Sequence, residues 1–429
     1  MAHSRREFLL GGVSLLGAMA LGLPRAARAQ AASGKRMILV TCNGGWDVTF
    51  HLDPKSTGIT GLDVPAGAIA TAGSLTYYSA VACNGVVDAY MSAHHDVTSI
   101  IRGISVRSIS HDVCIRRMLT GSPSTDAADM GVVAGAWHGS TLPAPYLTLG
   151  AVSFPGTLEG SSVRTGLSNQ LALAHRHGEI DPNLGAAFPN DQEQGIINDF
   201  LRQGGTRLRN TRGQYGRNQA KALDYLDAIE RTQGLYENRE VLGNPFSVSL
   251  SLQDQLNSAL AMLERGVCWS VNVSTGFVWD THDPSATPSG NYQRAQGAQN
   301  MVLWPALTNL LTELKTRPGL VAGSKMIDDT VVVVLSEMTR TPLYNGQGGK
   351  DHWPHTSAMV AGGGVNVGQI FGATDNTLSS QKVNLTTGQP DEGGVVLESN
   401  HFVAGIMELV GVPSAEFLPQ VPPLAALMA

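Results

Sequence analysis

Four consecutive valines, Val331–Val334, continue through Leu335 and Ser336 and stop at Glu337. A β-branched apolar run without polar alternation reads as a strand buried on both faces, as in parallel sheets covered by helices. A charge at the end of such a strand needs a cation or a paired base. Similar runs recur along the chain. Met37–Cys42 reads as a strand that breaks into a Gly-rich turn presenting Asp47. Asp96–Val106 holds a second β-branched run, and Pro145–Gly150 and Cys268–Thr275 read as further strands. Between them the period changes. A short helix is expected from near Ser110 to a stop at Gly121. An amphipathic helix is expected over Met301–Gly319, with Leu303, Leu307, Leu310, Leu311 and Leu314 on one stripe, and a closing helix over His401–Val412. Strands alternating with helices indicate an α/β fold with a mostly parallel sheet.

In open sheets of this kind ligands bind outside the carboxyl ends of the strands. Asp47, the Ser108–Asp112 group, Asp280 with His282 and Asp283, and Glu337 all follow strand-like runs, and Asp351, His352 and His355 crowd the next loop. Carboxylates mixed with imidazoles suit a borderline divalent cation such as zinc or manganese. In Trp279-Asp280-Thr281-His282-Asp283, Asp280 and His282 fall on one side of an extended segment, because side chains alternate with period two. The competing explanations are ordinary: an aspartate at a strand end forms turns or caps helices, and Arg340 offers Glu337 a salt-bridge partner.

The N-terminus reads as an address. Ser4-Arg5-Arg6-Glu7-Phe8-Leu9 is a twin-arginine pattern, Leu9–Leu23 is apolar, and Ala27-Arg28-Ala29 offers a cleavage site, so residues 1–29 are expected to be a signal peptide. That predicts passage through the twin-arginine translocase to a periplasmic or secreted location. A membrane anchor needs about 20 apolar residues; this stretch is shorter and Gly-rich, and no later segment is long and apolar enough, so no stable span is expected. Residues 30–429 have room for one large domain or two. The polar, helical stretch from about 195 to 265 reads as an insertion. A net charge of −6 argues against nucleic acid or an anionic membrane as partner. The basic stretch Arg207–Lys221 reads as a solvated face, and the glycines from Gly362 onward lack the dinucleotide-binding spacing. Cys42, Cys83, Cys114 and Cys268 have no CxxC spacing; Cys42 and Cys268 sit in strand-like runs and read as small buried residues.

Five segments resemble the exported bacterial family DUF1501: CNGGWD, RSISHD, WDTHD, SEMTRTP with GKDHWPH, and AGGGVNVGQIFGATD. That family is similar in turn to the alkaline phosphatase and sulfatase superfamily. The resemblance implies a three-layer α/β/α sandwich with metal ligands at the strand ends, and metal-dependent hydrolysis of a phosphate or sulfate ester on a small molecule or polysaccharide. It implies metal ligands at Asp47, Asp280, His282 and Glu337 and at His352 or His355; with Asp351 from the same loop these make up the expected metal set, for zinc, manganese or calcium. The superfamily's nucleophile begins a helix that closes ten residues later; counting back from Gly121 gives His111, with Ser110 adjacent and Ser108 near. Arg340 or Arg107 would bind the anionic oxygens. Met338 stands where two-metal relatives carry a histidine. The alternative expectation is an exported binding or assembly protein that keeps the fold without turnover, and a third is a structural metal.

Overall fold

Alternate residues of the first strand face opposite sides: Met37 and Leu39 enter one apolar cluster, Ile38 and Val40 the other, and all four are fully buried. The valine run behaves the same way, with Val331 and Val333 on one side and Val332 and Val334 on the other. Two cores on the two faces of one sheet make three layers. The structure, a computed structural model, describes residues 34–165, 189–239, 251–286 and 289–429. The expected signal peptide lies outside the described residues.

The main sheet is built from β1 (Arg36–Thr41), β2 (Thr98–Ser105), β3 (Tyr146–Leu149), β4 (Ser162–Thr165), β5 (Ser270–Ser274), β6 (Thr330–Leu335), β7 (His355–Gly362) and β8 (Ile370–Phe371). Their spatial order is β8-β2-β7-β6-β1-β5-β3-β4. All neighbours run parallel except β7, which is antiparallel to both β2 and β6. The reversal matters for function. It brings the start of β7 to the edge where β2 and β6 end, with His355 opposite Ser105.

Helices α1 (Val86–His94), α2 (His111–Thr120), α3 (Met130–His138), α4 (Asp191–Thr211), α5 (Gly216–Glu237), α6 (Leu252–Glu264), α7 (Tyr292–Thr316) and α8 (Ser399–Leu409) complete the described helical set. α1, α6 and α7 cover one face, and α2, α3 and α8 the other. The expected mostly parallel α/β/α sandwich is therefore present. α2 follows Ser110 and stops at Gly121, whose φ of 69° suits a residue without a side chain. The stretch expected as an insertion divides. α4 and α5 pack on each other as a hairpin, with Arg207, Arg209 and Arg212 exposed, whereas α6 buries Leu252, Leu256, Leu260 and Leu263 in the core. α7 begins at Tyr292, well before the expected Met301, because its first turns are held by buried polar groups rather than an apolar stripe. Gln296 accepts from the Asp47 N–H at 3.0 Å and donates to the Trp279 carbonyl at 3.1 Å. All four cysteines are buried and free. Among the described residues no helix is long and apolar enough to cross a membrane.

His51 is buried beside Trp46 and Trp304, with ring centroids 4.7 and 5.8 Å away. Its Nδ1 accepts from the Leu52 N–H at 2.9 Å. Burial pushes its pKa down from 6.5 to about 3. The folded state thus prefers the neutral ring. Its contribution is complete above the unfolded pKa and is lost as pH falls from 6.5 towards 3, by up to about 1.4 kcal/mol per pH unit. His51→Asn keeps an acceptor and does not titrate. Urea titrations between pH 7 and 4 should show a shallower loss of stability in the variant than in the wild type.

Candidate metal centre

Glu337 is fully buried just beyond β6, and its carboxylate is occupied on both oxygens. Oε1 accepts from the Gly44 N–H at 2.7 Å and from His111 Nδ1 at 2.7 Å, while Oε2 accepts from the Ser336 hydroxyl at 3.1 Å. Gly44 can approach this closely only as glycine. Its φ is 108°, and a Cβ there would lie 2.5 Å from the Asp280 nitrogen. The partner that the buried glutamate requires is therefore an imidazole, and Arg340 is directed elsewhere.

With Nδ1 of His111 committed to Glu337, its Nε2 is buried without a hydrogen-bond partner and faces Asp280 Oδ2 at 3.6 Å. His352 is fixed in the same sense. Its Nδ1 meets the Ile109 carbonyl at 2.8 Å, and its Nε2 lies 3.5 Å from Asp280 Oδ1. The His111 and His352 ring centroids are 4.4 Å apart. One donor atom from each of His111, Asp280 and His352 falls within 4.8 Å of the other two. Histidines that ligate metals characteristically donate the far ring N–H to a carboxylate or carbonyl, which aims the near nitrogen inward. Both histidines here have that arrangement, and the orphaned Nε2 fits a divalent cation.

Charge at the cluster is strongly coupled. The carboxylates of Asp280 and Glu337 raise His111 to about 9, so the ring is an imidazolium at neutral pH unless a cation replaces the proton. Burial works to raise Asp280, but contacts from His111, His352, His282 and Arg340 outweigh it and hold the carboxyl far below the ordinary range.

The other residues expected at the site are distributed around this centre. His282 donates from Nδ1 to Asp280 Oδ1 at 2.9 Å and is half exposed. Arg340 is fully buried and ties loops together: it bonds Asp280 Oδ1 at 2.8 Å and the carbonyls of Gly44, Gly45, Trp279 and Lys350. Its Nε, Nη1 and Nη2 are thus all engaged by the scaffold. Asp47 is held away from the cluster by Lys350 Nζ at 2.9 Å and the Tyr292 hydroxyl at 2.8 Å. Burial would raise Asp47, but Lys350, Thr49 and Tyr292 lower it. Asp351 accepts from Asn345 at 2.7 Å, and Asn345 also donates to the His282 carbonyl at 2.9 Å. His355 meets the Ser380 hydroxyl at 2.6 Å, and burial lowers its pKa. Ser110 is exposed immediately before α2, and its hydroxyl does not cap that helix. Arg107 pairs with Glu398 at 2.5 Å. Asp112 is exposed, Asp283 caps the Ser285 N–H at 3.0 Å, and Met338 is buried in the apolar core.

Lys350, Tyr292, Gln296 and the Ile109 carbonyl are structural partners of the site that sequence reasoning missed. Lys350 lay in view in the GKDHWPH segment. A lysine beside Asp351 looks like a surface charge, and only the tertiary fold shows it buried against an aspartate about 300 residues away, a separation of 303.

Residues 209–388 match the DUF1501 family, whose description is "Protein of unknown function". The resemblance read from the motifs is borne out over that span. It includes Asp280, Glu337 and His352, while the CNGGWD and RSISHD segments precede it. No curated protein matches the chain in sequence. Similar solved structures include the lipoteichoic acid synthase LtaP from Listeria monocytogenes, at 10% identity and TM-score 0.39, covering 93% of this chain and 77% of that one. The PsFucS1 sulfatase from Pseudoalteromonas sp. is similar at 10% identity and TM-score 0.40, covering 97% and 75%. Ps i-CgsB in complex with k-i-k-neocarrahexaose is similar at 10% identity and TM-score 0.37, covering 88% and 72%.

The Asp47–Lys350 pair can be tested through stability. Lys350→Met leaves a buried carboxylate unpaired, at a cost of about 3–5 kcal/mol. Adding Asp47→Asn should recover a substantial part of that loss in chemical denaturation, because the unpaired charge is gone.

Proposed function

We propose that the chain is an exported, metal-dependent hydrolase of phosphate or sulfate esters. One observation carries the metal: the convergence of His111, Asp280 and His352, with the far nitrogens of both histidines anchored. Three protein donors leave coordination positions open, which is the usual pattern of catalytic rather than structural sites. The ester chemistry rests on the motif resemblance, and export rests on Arg5-Arg6 and the apolar stretch behind them. Its substrate would be a small-molecule or polysaccharide ester reached in the periplasm or outside the cell.

When bound, a divalent ion supplies Lewis acidity towards an ester oxygen. The chain's own contributions are more specific. Glu337 Oε1 holds the Nδ1 proton of His111, and the Ile109 carbonyl holds that of His352, so both rings present Nε2 inward. Arg340 orients Asp280 through Oδ1 and leaves Oδ2 towards His111. Ser110 places an exposed hydroxyl next to His111 as the candidate attacking group. A second reading, a binding or assembly protein without turnover, is favoured by one observation: the guanidinium expected to receive the ester's anionic oxygens is committed to the scaffold.

Metal content by mass spectrometry on chain purified without chelator should approach one ion per molecule. His111→Ala with His352→Ala should reduce it to background, and the metal-loaded wild type should cleave p-nitrophenyl phosphate or sulfate faster than this double variant. Metal without turnover on either ester would favour the binding reading. No metal, and no uptake on addition, would remove both the centre and the hydrolase.

A further inference from the structure

The carboxylates around the centre do not contribute equally, and this restricts the ion. We infer that the site selects a borderline transition metal, of which zinc is the test case, over calcium and magnesium, and that Glu337 enforces the choice by positioning His111. The inference deepens the metal-centre reading and rests on it. Calcium takes about six to eight oxygen ligands, and magnesium an octahedral oxygen shell. Of the four carboxylates expected as metal ligands, Asp47, Asp280, Glu337 and Asp351, three are otherwise engaged. Asp47 is paired with Lys350 at 2.9 Å, Glu337 accepts from Gly44 and His111 at 2.7 Å each, and Asp351 accepts from Asn345 at 2.7 Å.

Among the described residues, Asp280 alone faces both imidazoles, and its charge is already offset by the Arg340 guanidinium at 2.8 Å. What converges is two nitrogens and one partly neutralised carboxylate. Imidazole donors suit zinc, copper, iron and nickel, whereas carboxylate, carbonyl and water suit calcium and magnesium. Glu337 makes the nitrogen share of that set possible. Its acceptance of the Nδ1 proton is what leaves Nε2 of His111 directed at Asp280, where an ion can displace the Nε2 proton. A rotated or misprotonated ring would leave a weaker site with one imidazole. Glu337 is thus a positioning residue: it acts on the ion through His111, in contrast to the ligand role that the resemblance implied.

The test is calorimetric titration of the full chain, stripped with chelator, with zinc, calcium or magnesium chloride, and a parallel titration with cobalt followed by visible absorption. Zinc should bind at one site and cobalt should develop visible bands, while calcium and magnesium at millimolar concentration should give no saturable heat. Glu337→Gln keeps an acceptor for Gly44 and His111 but loses the charge, and should weaken zinc by about 10- to 100-fold without changing the stoichiometry. Circular dichroism of the variant should match the wild type, separating a positioning effect from misfolding. Calcium or magnesium binding more tightly than zinc would overturn the selection while leaving a metal centre in place. Glu337→Gln binding zinc as tightly as the wild type would overturn the positioning role. Absence of binding by any of these ions would overturn both this inference and the metal centre.

Discussion

A single carboxylate oxygen links the scaffold to the site. Oε1 of Glu337 accepts from the Gly44 backbone and from His111 Nδ1, joining the loops that follow β6, β1 and β2. A buried carboxylate is costly unless its lone pairs are satisfied, so burying Glu337 requires both neighbours to be in place. The same bonds that make its burial tolerable also orient His111. Stability of the loop and geometry of the site are therefore one arrangement.

The surrounding loops are held by two buried cations with different tasks. Lys350 neutralises Asp47 at a position removed from the cluster, and Arg340 spans five acceptors on the loops after β1 and β5 and before β7. A planar guanidinium presents five donors in a fixed fork, so Arg340 reaches more acceptors, in a more rigid arrangement, than the three rotatable donors of an ammonium would. Polar networks of this density, buried and mutually satisfied, hold loop backbone in one arrangement. That rigidity suits the cluster of His111, Asp280 and His352, which lie on three separate connections.

Much of the architecture was legible because apolar periodicity is local. The valine run, the Met37–Cys42 segment and the helix between Ser110 and Gly121 all announced themselves, and the rule that ligands lie at the strand ends pointed to the edge where His111, Asp280 and His352 converge. Which members of that edge would meet was not legible. Asp47 and Asp280 look equivalent in sequence, yet a lysine remote along the chain claims one and leaves the other facing two imidazoles. Glu337 was conspicuous as a charge ending a buried strand, but its partner depended on how the β2 loop returns over the sheet. The early start of α7 was hidden for a related reason: Gln296 and Asn300 are buried as hydrogen-bonding groups, so no apolar stripe marks those turns.

The most direct measurement of the central claim is X-ray absorption at the zinc edge on the zinc-loaded chain. Two imidazole ligands and one carboxylate, with the remaining positions filled by light solvent atoms, are the expected shell. One imidazole should disappear in His352→Ala. A shell of oxygen donors alone, or a spectrum unchanged by that substitution, would contradict the assignment of His111, Asp280 and His352 as the metal-binding set.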